Sequence, residues 1–292
     1  FGPLSMARMA IFGKRIPDEV QTFVERTINS LLQEGCELIM YRGFQHRINE
    51  QWAVGWEFPE FKNAAELQAC APDFLLVIGG DGTILDAVTV VRNSGIPILG
   101  INTGRLGFLA NVAKEEINIA INSLISGNFK INVRNTIMVQ TSIDEQPDPV
   151  FALNEVAVSR KGTTAMITIH AYINGEYLNS YWADGLIVST PTGSTGYSLS
   201  CGGPVVMPES DSLLLTPIAP HNLNARPLVI SSDKTIKLKV SGREEEHLVS
   251  LDSRIKTLPN HTTITIEKAP FHIHMIELKN KGFIETLRKK LL

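Results

Sequence analysis

Cysteine is scarce in this chain: Cys36, Cys70 and Cys201 are odd in number, far apart and without CxxC spacing. That pattern argues against a disulfide framework and a thiolate zinc cluster, and it suits a reducing compartment such as the cytoplasm. A basic excess is also missing. The 27 Lys and Arg residues stand against 30 Asp and Glu, for a net charge of -3 and an isoelectric point near 6.2. Nucleic acid and anionic membrane surfaces are therefore disfavoured as partners. Apolar runs such as Phe74 to Ile78 and Leu213 to Leu215 fall far below the roughly 20 residues of a spanning helix. Phe1 to Ser5 have neither the basic start nor the apolar stretch of a signal peptide. Met6 reads as a natural start, and the five residues before it are set aside. GxxxxGK[ST], GxGxxG and HExxH strings do not occur, which argues against a Walker-type nucleotidase, a hydride-transferring Rossmann enzyme and a zinc peptidase. His272 and His274 alternate on an expected strand and read as a surface face rather than a metal pair.

The 292 residues, 43% hydrophobic and 20% charged, suit one or two soluble globular domains. Up to about residue 127, short apolar runs alternate with helical periodicity. Met9 to Phe12 reads as a strand, and Val20, Phe23, Val24, Thr27, Leu31 and Leu32 follow on one helical face that Gly35 ends. Glu37 to Tyr41, Phe74 to Ile78 and Ile96 to Ile101 read as strands buried on both faces, so an α/β layer with a parallel sheet is expected. Residues 42–71 show no clean period and read as a flexible or lid-like insertion. Beyond Gly127 the pattern turns to period two, as in Phe129, Ile131 and Val133 or Ile236, Leu238 and Val240, and Asn174-Gly175 predicts a tight hairpin. Phe283, Ile284, Leu287 and Leu291 predict a terminal helix that docks back on the first domain. The expected division is 6–127 with 279–292 as an α/β nucleotide-binding domain, and 128–278 as a mostly-β domain.

Gly79-Gly80-Asp81-Gly82-Thr83 follows the run Phe74 to Ile78 directly and precedes the helical pattern Ile84, Leu85, Val88 and Val91. Strand, glycine turn and helix together make an anion site, because glycine lets phosphate approach the backbone and a helix start offers free N–H groups. Asp81 inside such a loop suits a base, a hydroxyl-orienting group or a magnesium ligand. It could equally be a helix cap. Asp184 to Ser200 carries seven Ser and Thr residues behind a short strand, a density suited to ribose and phosphate recognition or to a plain polar loop. Asn154-Glu155, at the entry of Val156 to Val158, could bind a diol or simply begin a strand. Gly104 to Gly107 reads as a second glycine turn or as packing.

In this order, GGDGT at 79–83, NTGRLGFL at 102–109, NEVAV at 154–158, DGLIVSTPTGSTGYSLSCGGP at 184–204 and PHNLNARPLV at 220–229 resemble the NAD kinase family. The resemblance implies a Rossmann-like domain, a C-terminal all-β domain and a dinucleotide held in the cleft between them. It also implies the substrates ATP and NAD, Mg2+ as the cation and a homo-oligomer, either dimer or tetramer. By the same resemblance, Asp81 would accept the proton of the 2′-hydroxyl of the adenosine ribose, and Gly79, Gly80, Gly82 and Thr83 would take phosphates. Asn154 and Glu155 would hold a ribose diol, and Asp184 would contact the nicotinamide side or the second ribose. Thr195, Gly196, Tyr197, Ser198, Leu199 and Ser200 would lie against the adenine and its ribose. Trp182 and Arg254 depart from the family pattern, which commonly has a basic residue and a glutamine there. A lipid or sphingoid-base kinase shares GGDGT, but no exposed apolar or basic signature accompanies it. A non-catalytic nucleotide sensor would have no need of Asp81.

Overall fold

The computed structural model describes residues 7–143, 150–162, 165–279 and 281–292. The chain forms two compact units, one of the residues up to Val133 together with Ile273–Leu292, the other of Arg134–His272. Phe1 to Met6 lie outside the described residues.

In the first unit, β1 (Arg8–Gly13), α1 (Gln21–Gln33), β2 (Glu37–Tyr41), α2 (Arg42–Trp52), β3 (Glu60–Phe61) and α3 (Ala64–Cys70) lead to β4 (Phe74–Ile78) and α4 (Asp81–Val91). β5 (Ile98–Asn102), β6 (Val112–Ala113) and α5 (Ile117–Ser126) follow. The strands pair in parallel in the order β3-β2-β1-β4-β5, with β6 on β5 and Met275 of the returning chain beside Ile98. β1, β4 and β5 are buried almost throughout, as continuous apolar runs between helical layers should be. Strand order reverses between β1 and β4, so the crevice at their carboxyl ends is a topological switch point, the usual ligand position in such sheets.

Two readings need correction here. Residues 42–71 are helix, strand and helix rather than a lid-like insertion. Phe44, Ile48 and Trp52 recur every fourth residue and are buried, with Phe61 and Leu67. The side-chain amides of Gln45 and Asn49 strap the following turn by exchanging hydrogen bonds with the backbone of Phe58 and Trp56. On α1, Ile28 takes the core position next to Val24 and Leu31, while Leu32 is 46% exposed.

β7 (Phe129–Thr141) carries the chain into the second unit. There β8 (Val150–Ala152), β9 (Glu155–Arg160), β10 (Ile167–Ile173), β11 (Glu176–Ala183), β12 (Gly185–Ser189), the short α6 (Tyr197–Ser200) and β13 (Ser212–Ile218) follow. β14 (Leu228–Ser231), β15 (Ile236–Ser241), β16 (Glu246–Leu251), β17 (Arg254–Pro259) and β18 (Thr263–Leu278) come next, and α7 (Phe283–Lys290) lies back in the first unit. One antiparallel set runs β11-β10-β15-β18 and another β14-β13-β12-β9-β16-β17. Alternate residues of both sets, among them Ile169, Leu238 and Ile264 from one and Val158, Val188, Leu215 and Val249 from the other, share one core. Asn174 and Gly175 both take positive φ, 50° and 85°, and join β10 to β11 in a two-residue hairpin. On α7, Phe283 and Thr286 are buried while Ile284 and Leu291 face solvent, so the docking face differs by a fraction of a turn from the expected one. His274 is partly buried, and its Nδ1 pairs with the Gly95 carbonyl at 3.0 Å, so it is not simply a surface residue.

Candidate active site

The first cluster stands at the switch point. β4 ends at Ile78, Gly79 and Gly80 turn the chain, and Asp81 is the first residue of α4, with Gly80 in the N-cap position. Asp81 is not a side-chain cap of its helix. Its carboxylate reaches across to the loop after β5 and accepts three backbone hydrogen bonds. Phe108 donates to Oδ2 at 2.8 Å, and Leu109 and Ala110 donate to Oδ1 at 3.0 and 2.8 Å. A carboxylate offers about four lone-pair positions, so one on Oδ2 stays open for a further donor. Gly107 makes the arrangement possible: a Cβ there would lie 1.8 Å from Asp81 Oδ1. The second glycine turn is thus fitted to Asp81. Asn102 shapes it from within, its amide donating to the Arg105 carbonyl at 2.6 Å while its oxygen accepts from Gly104 N–H at 2.7 Å. Gly82 and Thr83 occupy the first turn of α4, where the helix dipole favours an anion; the Thr83 N–H is already donated to the Gly80 carbonyl at 3.0 Å.

The second cluster lies within the β-rich unit. Glu155 does begin β9, yet its side chain is more than a strand entry. Its carboxyl accepts the Tyr197 N–H, and its pKa is pushed up to about 7, by burial first and then by the nearby charge of Asp252. Glu155 Oε2, Asn154 Oδ1 and Thr192 Oγ1 are buried side-chain oxygens without a hydrogen-bond partner. A Cβ at Gly196 would lie 2.9 Å from Glu155 Oε2 and 3.4 Å from Asn154 Nδ2, so the lack of a side chain lets this backbone pack closely against the pair. Buried polar atoms left unpaired are costly, and a group of them marks a place where a polar ligand completes the set.

Asp252, in the two-residue turn between β16 and β17, holds this pair. It accepts N–H bonds from Leu153 at 2.9 Å, Asn154 at 2.8 Å and Glu155 at 3.1 Å, and its own N–H donates to the Glu155 carbonyl. Burial raises its pKa, and the three N–H donors and Arg254 oppose the rise. Arg254 itself donates to the Phe151 carbonyl and lies over the Phe151 ring, so this departure from the family pattern braces the same turn.

Asp184 forms a two-pronged pair with Arg160, at 2.9 Å from Nε and 3.2 Å from Nη2. Tyr197 is 45% exposed. Its hydroxyl is pushed up by burial and by the neighbouring Cys201, Asp184 and Glu155 groups, which places Tyr197 within electrostatic reach of both predicted acids. Trp182 is half exposed and stacks at a tilt on His221, ring centres 4.2 Å apart.

The hydroxyl-rich segment is mostly self-consumed. Ser189 and Thr190 bond the carbonyls of Asn154 and Leu153, Ser194 exchanges bonds with Val206, Thr195 bonds the Thr192 carbonyl, and Ser198 pairs with Thr216 at 2.8 Å. These side chains lock the loop instead of facing a ligand. Tyr197, Leu199 and Ser200 keep some exposure, and Gly196 packs closely beside Glu155. Asp252, Thr192, Gly107 and Arg160 were not among the predicted site residues. An Asp-Ser pair between two alternating strands signals a tight turn, but nothing local shows that its carboxylate grips residues 97 to 99 positions away.

Among the described residues, no group of three or more His, Cys, Asp and Glu side chains is arranged to hold a metal. No helix among them is long and apolar enough to cross a membrane.

Residues 9–129 match the ATP-NAD kinase N-terminal domain and residues 153–278 the ATP-NAD kinase C-terminal domain. Over 287 residues, the chain is 50% identical to NAD kinase of Flavobacterium psychrophilum, covering 98% of this chain and 97% of that protein. It is also 50% identical over 288 residues to NAD kinase of Christiangramia forsetii, with the same coverage of each. An Archaeoglobus fulgidus NAD kinase, solved in complex with ATP, matches 97% of this chain and 98% of its own at a TM-score of 0.73 and 29% identity. Yeast NADH kinase, solved with NADH, shares the fold at a TM-score of 0.85 and 24% identity, over 99% of this chain and 88% of its own.

Proposed function

The chain belongs to the NAD kinase family, and on that premise we propose that it moves the γ-phosphoryl group of ATP onto the 2′-hydroxyl of the adenosine ribose of NAD, giving NADP. The observation that carries the reading is Asp81, a carboxylate at the first residue of a helix beyond a glycine turn, held by three N–H groups with one lone pair left over.

In the reaction the 2′-oxygen bonds to the γ-phosphorus, the bond from that phosphorus to the bridging oxygen breaks, and ADP leaves. The hydroxyl proton passes to the open position on Asp81. An alcohol ionises far above neutral pH, so a fixed carboxylate contributes about 10² to 10⁴-fold. Alignment supplies much of the rest, because phosphoryl transfer runs through a loose transition state. Gly80 and Gly82 receive phosphate oxygens at the start of α4 and Thr83 offers its hydroxyl, while Gly79, whose N–H donates to the Ile101 carbonyl at 3.0 Å, turns the chain toward them. Magnesium would offset the phosphate charge; among the described residues no cluster of donors is arranged to hold it, and such an ion would be held largely by the phosphates and by water.

We assign phosphate handling to the first unit and dinucleotide recognition to the second. Asn154 and Glu155 take the ribose diol through their unpaired oxygens. Asp184, oriented by Arg160, takes the second ribose or the nicotinamide side. Tyr197, Leu199 and Ser200 lie against the adenosine, with Tyr197 offering the aromatic face, while Thr195 and Ser198 hold the segment in shape. We place the enzyme in the cytoplasm, where its three free cysteines stay reduced, as a homo-oligomer, either dimer or tetramer.

The test is to incubate the protein with ATP, Mg2+ and NAD and to follow NADP with an NADP-specific dehydrogenase, in parallel with Asp81→Asn. NADP formation that falls at least 100-fold in the variant is the expected result. Full turnover in a folded variant removes Asp81 from the base role, and NAD binding with no NADP from either protein would point to a sensor.

A further inference from the structure

Asp81 is oriented by a loop, and that loop is supported by the end of the chain. Phe108, whose N–H holds Asp81 Oδ2, packs its ring against Phe283 at the start of α7, ring centres 5.8 Å apart. Lys290, near the other end of the helix, sets its ammonium 5.0 Å from the centre of the same ring and donates to the Leu106 carbonyl at 2.5 Å. α7 is fixed in turn at its entry: Lys281 Nζ pairs with Glu116 at 2.5 Å, and the Lys281 carbonyl accepts from Asn111 at 2.6 Å. Asn111 immediately follows Ala110, the third donor to Asp81. The helix touches the loop at Leu106 and Phe108, and the segment that enters it touches Asn111, on both sides of the N–H groups that grip the carboxylate.

We propose that α7 is a positioning element for Asp81: Phe283 and Lys290 clamp Phe108, so that the N–H groups of Phe108 to Ala110 hold the carboxylate in one orientation. The inference rests on the reading of Asp81 as the base. Phe283 and Lys290 act on the loop backbone and the Phe108 ring. Loosening them lets the three donors drift and the carboxylate rotate, which weakens alignment with the hydroxyl and leaves binding groups elsewhere untouched. The expected signature is a loss in kcat with KM for ATP and NAD preserved, since a misplacement of about 1 Å costs up to about 100-fold.

The experiment compares Lys290→Met, Phe283→Ala and the conservative Phe283→Leu, each alone and combined with Asp81→Asn, by steady-state kinetics and thermal unfolding. Lys290 is solvent-exposed, so Lys290→Met keeps the fold and carries the test even if Phe283→Ala does not fold. Lys290→Met should lower kcat about 10-fold at unchanged KM, Phe283→Ala should lower it further, and Phe283→Leu should restore most of it. In the Asp81→Asn background none of them should slow the residual reaction further, because the group they orient is gone. Unchanged kcat in Lys290→Met and Phe283→Ala, beside a slow Asp81→Asn, overturns the positioning role alone. The same fractional loss with and without Asp81 overturns it too, by showing that α7 acts elsewhere. Normal turnover of Asp81→Asn itself is the separate outcome that removes the base reading.

Discussion

Replacing Glu155 with Gln should abolish a loss of stability that the native protein suffers as pH rises through neutrality. In the folded chain Glu155 keeps its proton up to about pH 7, against an ordinary value of 4.5, because burial and the charge of Asp252 disfavour the carboxylate more than the Tyr197 N–H favours it. The unfolded chain gives up that proton near its ordinary value. Between the two, the folded state binds more protons than the unfolded one, so stability is fully present below 4.5 and is lost as pH climbs through about 7. At about 1.4 kcal/mol for each pH unit, the span corresponds to about 3 kcal/mol, and to about 2 kcal/mol once the partial exposure of the side chain is allowed for. Burial pushes the His247 imidazole down, which works in the opposite sense near 6.5, so the quantity to read is the difference between the two proteins. Urea unfolding of the ligand-free native protein and of Glu155→Gln, at half-unit steps from about pH 4.5 to 8.5, should show the variant gaining about 2 kcal/mol on the native protein toward the alkaline end. A flat difference would mean that solvent reaches Glu155 freely and that the polar pocket around it is not dry. A difference of opposite slope would mean that the folded state favours the carboxylate.

Asp252→Ala should cost about 3 kcal/mol in urea unfolding, because three N–H groups lose their acceptor. In the more conservative Asp252→Asn, removing the charge should move the pH dependence of NAD binding to lower pH. Gly107→Ala puts a methyl group where Asp81 Oδ1 lies and should lower kcat by about 100-fold with the fold retained by circular dichroism; near-normal turnover would show that the loop yields without moving the carboxylate. Arg160→Met should leave stability within about 1 kcal/mol, the pair with Asp184 being partly exposed, but should raise KM for NAD and not KM for ATP. Gly175→Ala should cost about 1 kcal/mol at its positive φ and leave kcat unchanged, which makes it a control for stability loss alone.

Features that depend on neighbours in sequence were legible before the structure. A strand of five apolar residues, two glycines and a helix form a single local unit, so β4, the turn and α4 follow from residues 74–91, and Asn174-Gly175 specifies its own hairpin. Residues 42–71 were misread although Phe44, Ile48 and Trp52 stand at helical spacing, because the polar residues among them look like surface. Gln45 and Asn49 are in fact tied to a turn by side-chain hydrogen bonds. The site was legible in its residue types but not in its wiring. Asp81 reaches residues 27 to 29 positions on, Asp252 reaches nearly a hundred back, and the hydroxyls of Ser194 and Ser198 are spent on partners that only the tertiary fold supplies. Composition cannot tell a serine that meets a ligand from one that meets Val206.

The discontinuity of the first unit has a consequence for biosynthesis. During translation β1 to β5 emerge early, yet Met275, which pairs beside Ile98, and the whole of α7 emerge only after Arg134–His272 have been made. β18 runs from one unit into the other, so the α/β unit waits for its returning strand and its last helix until the end of synthesis. The loop that grips Asp81 therefore gains its contacts with Phe283 and Lys290 only once the whole chain has been made.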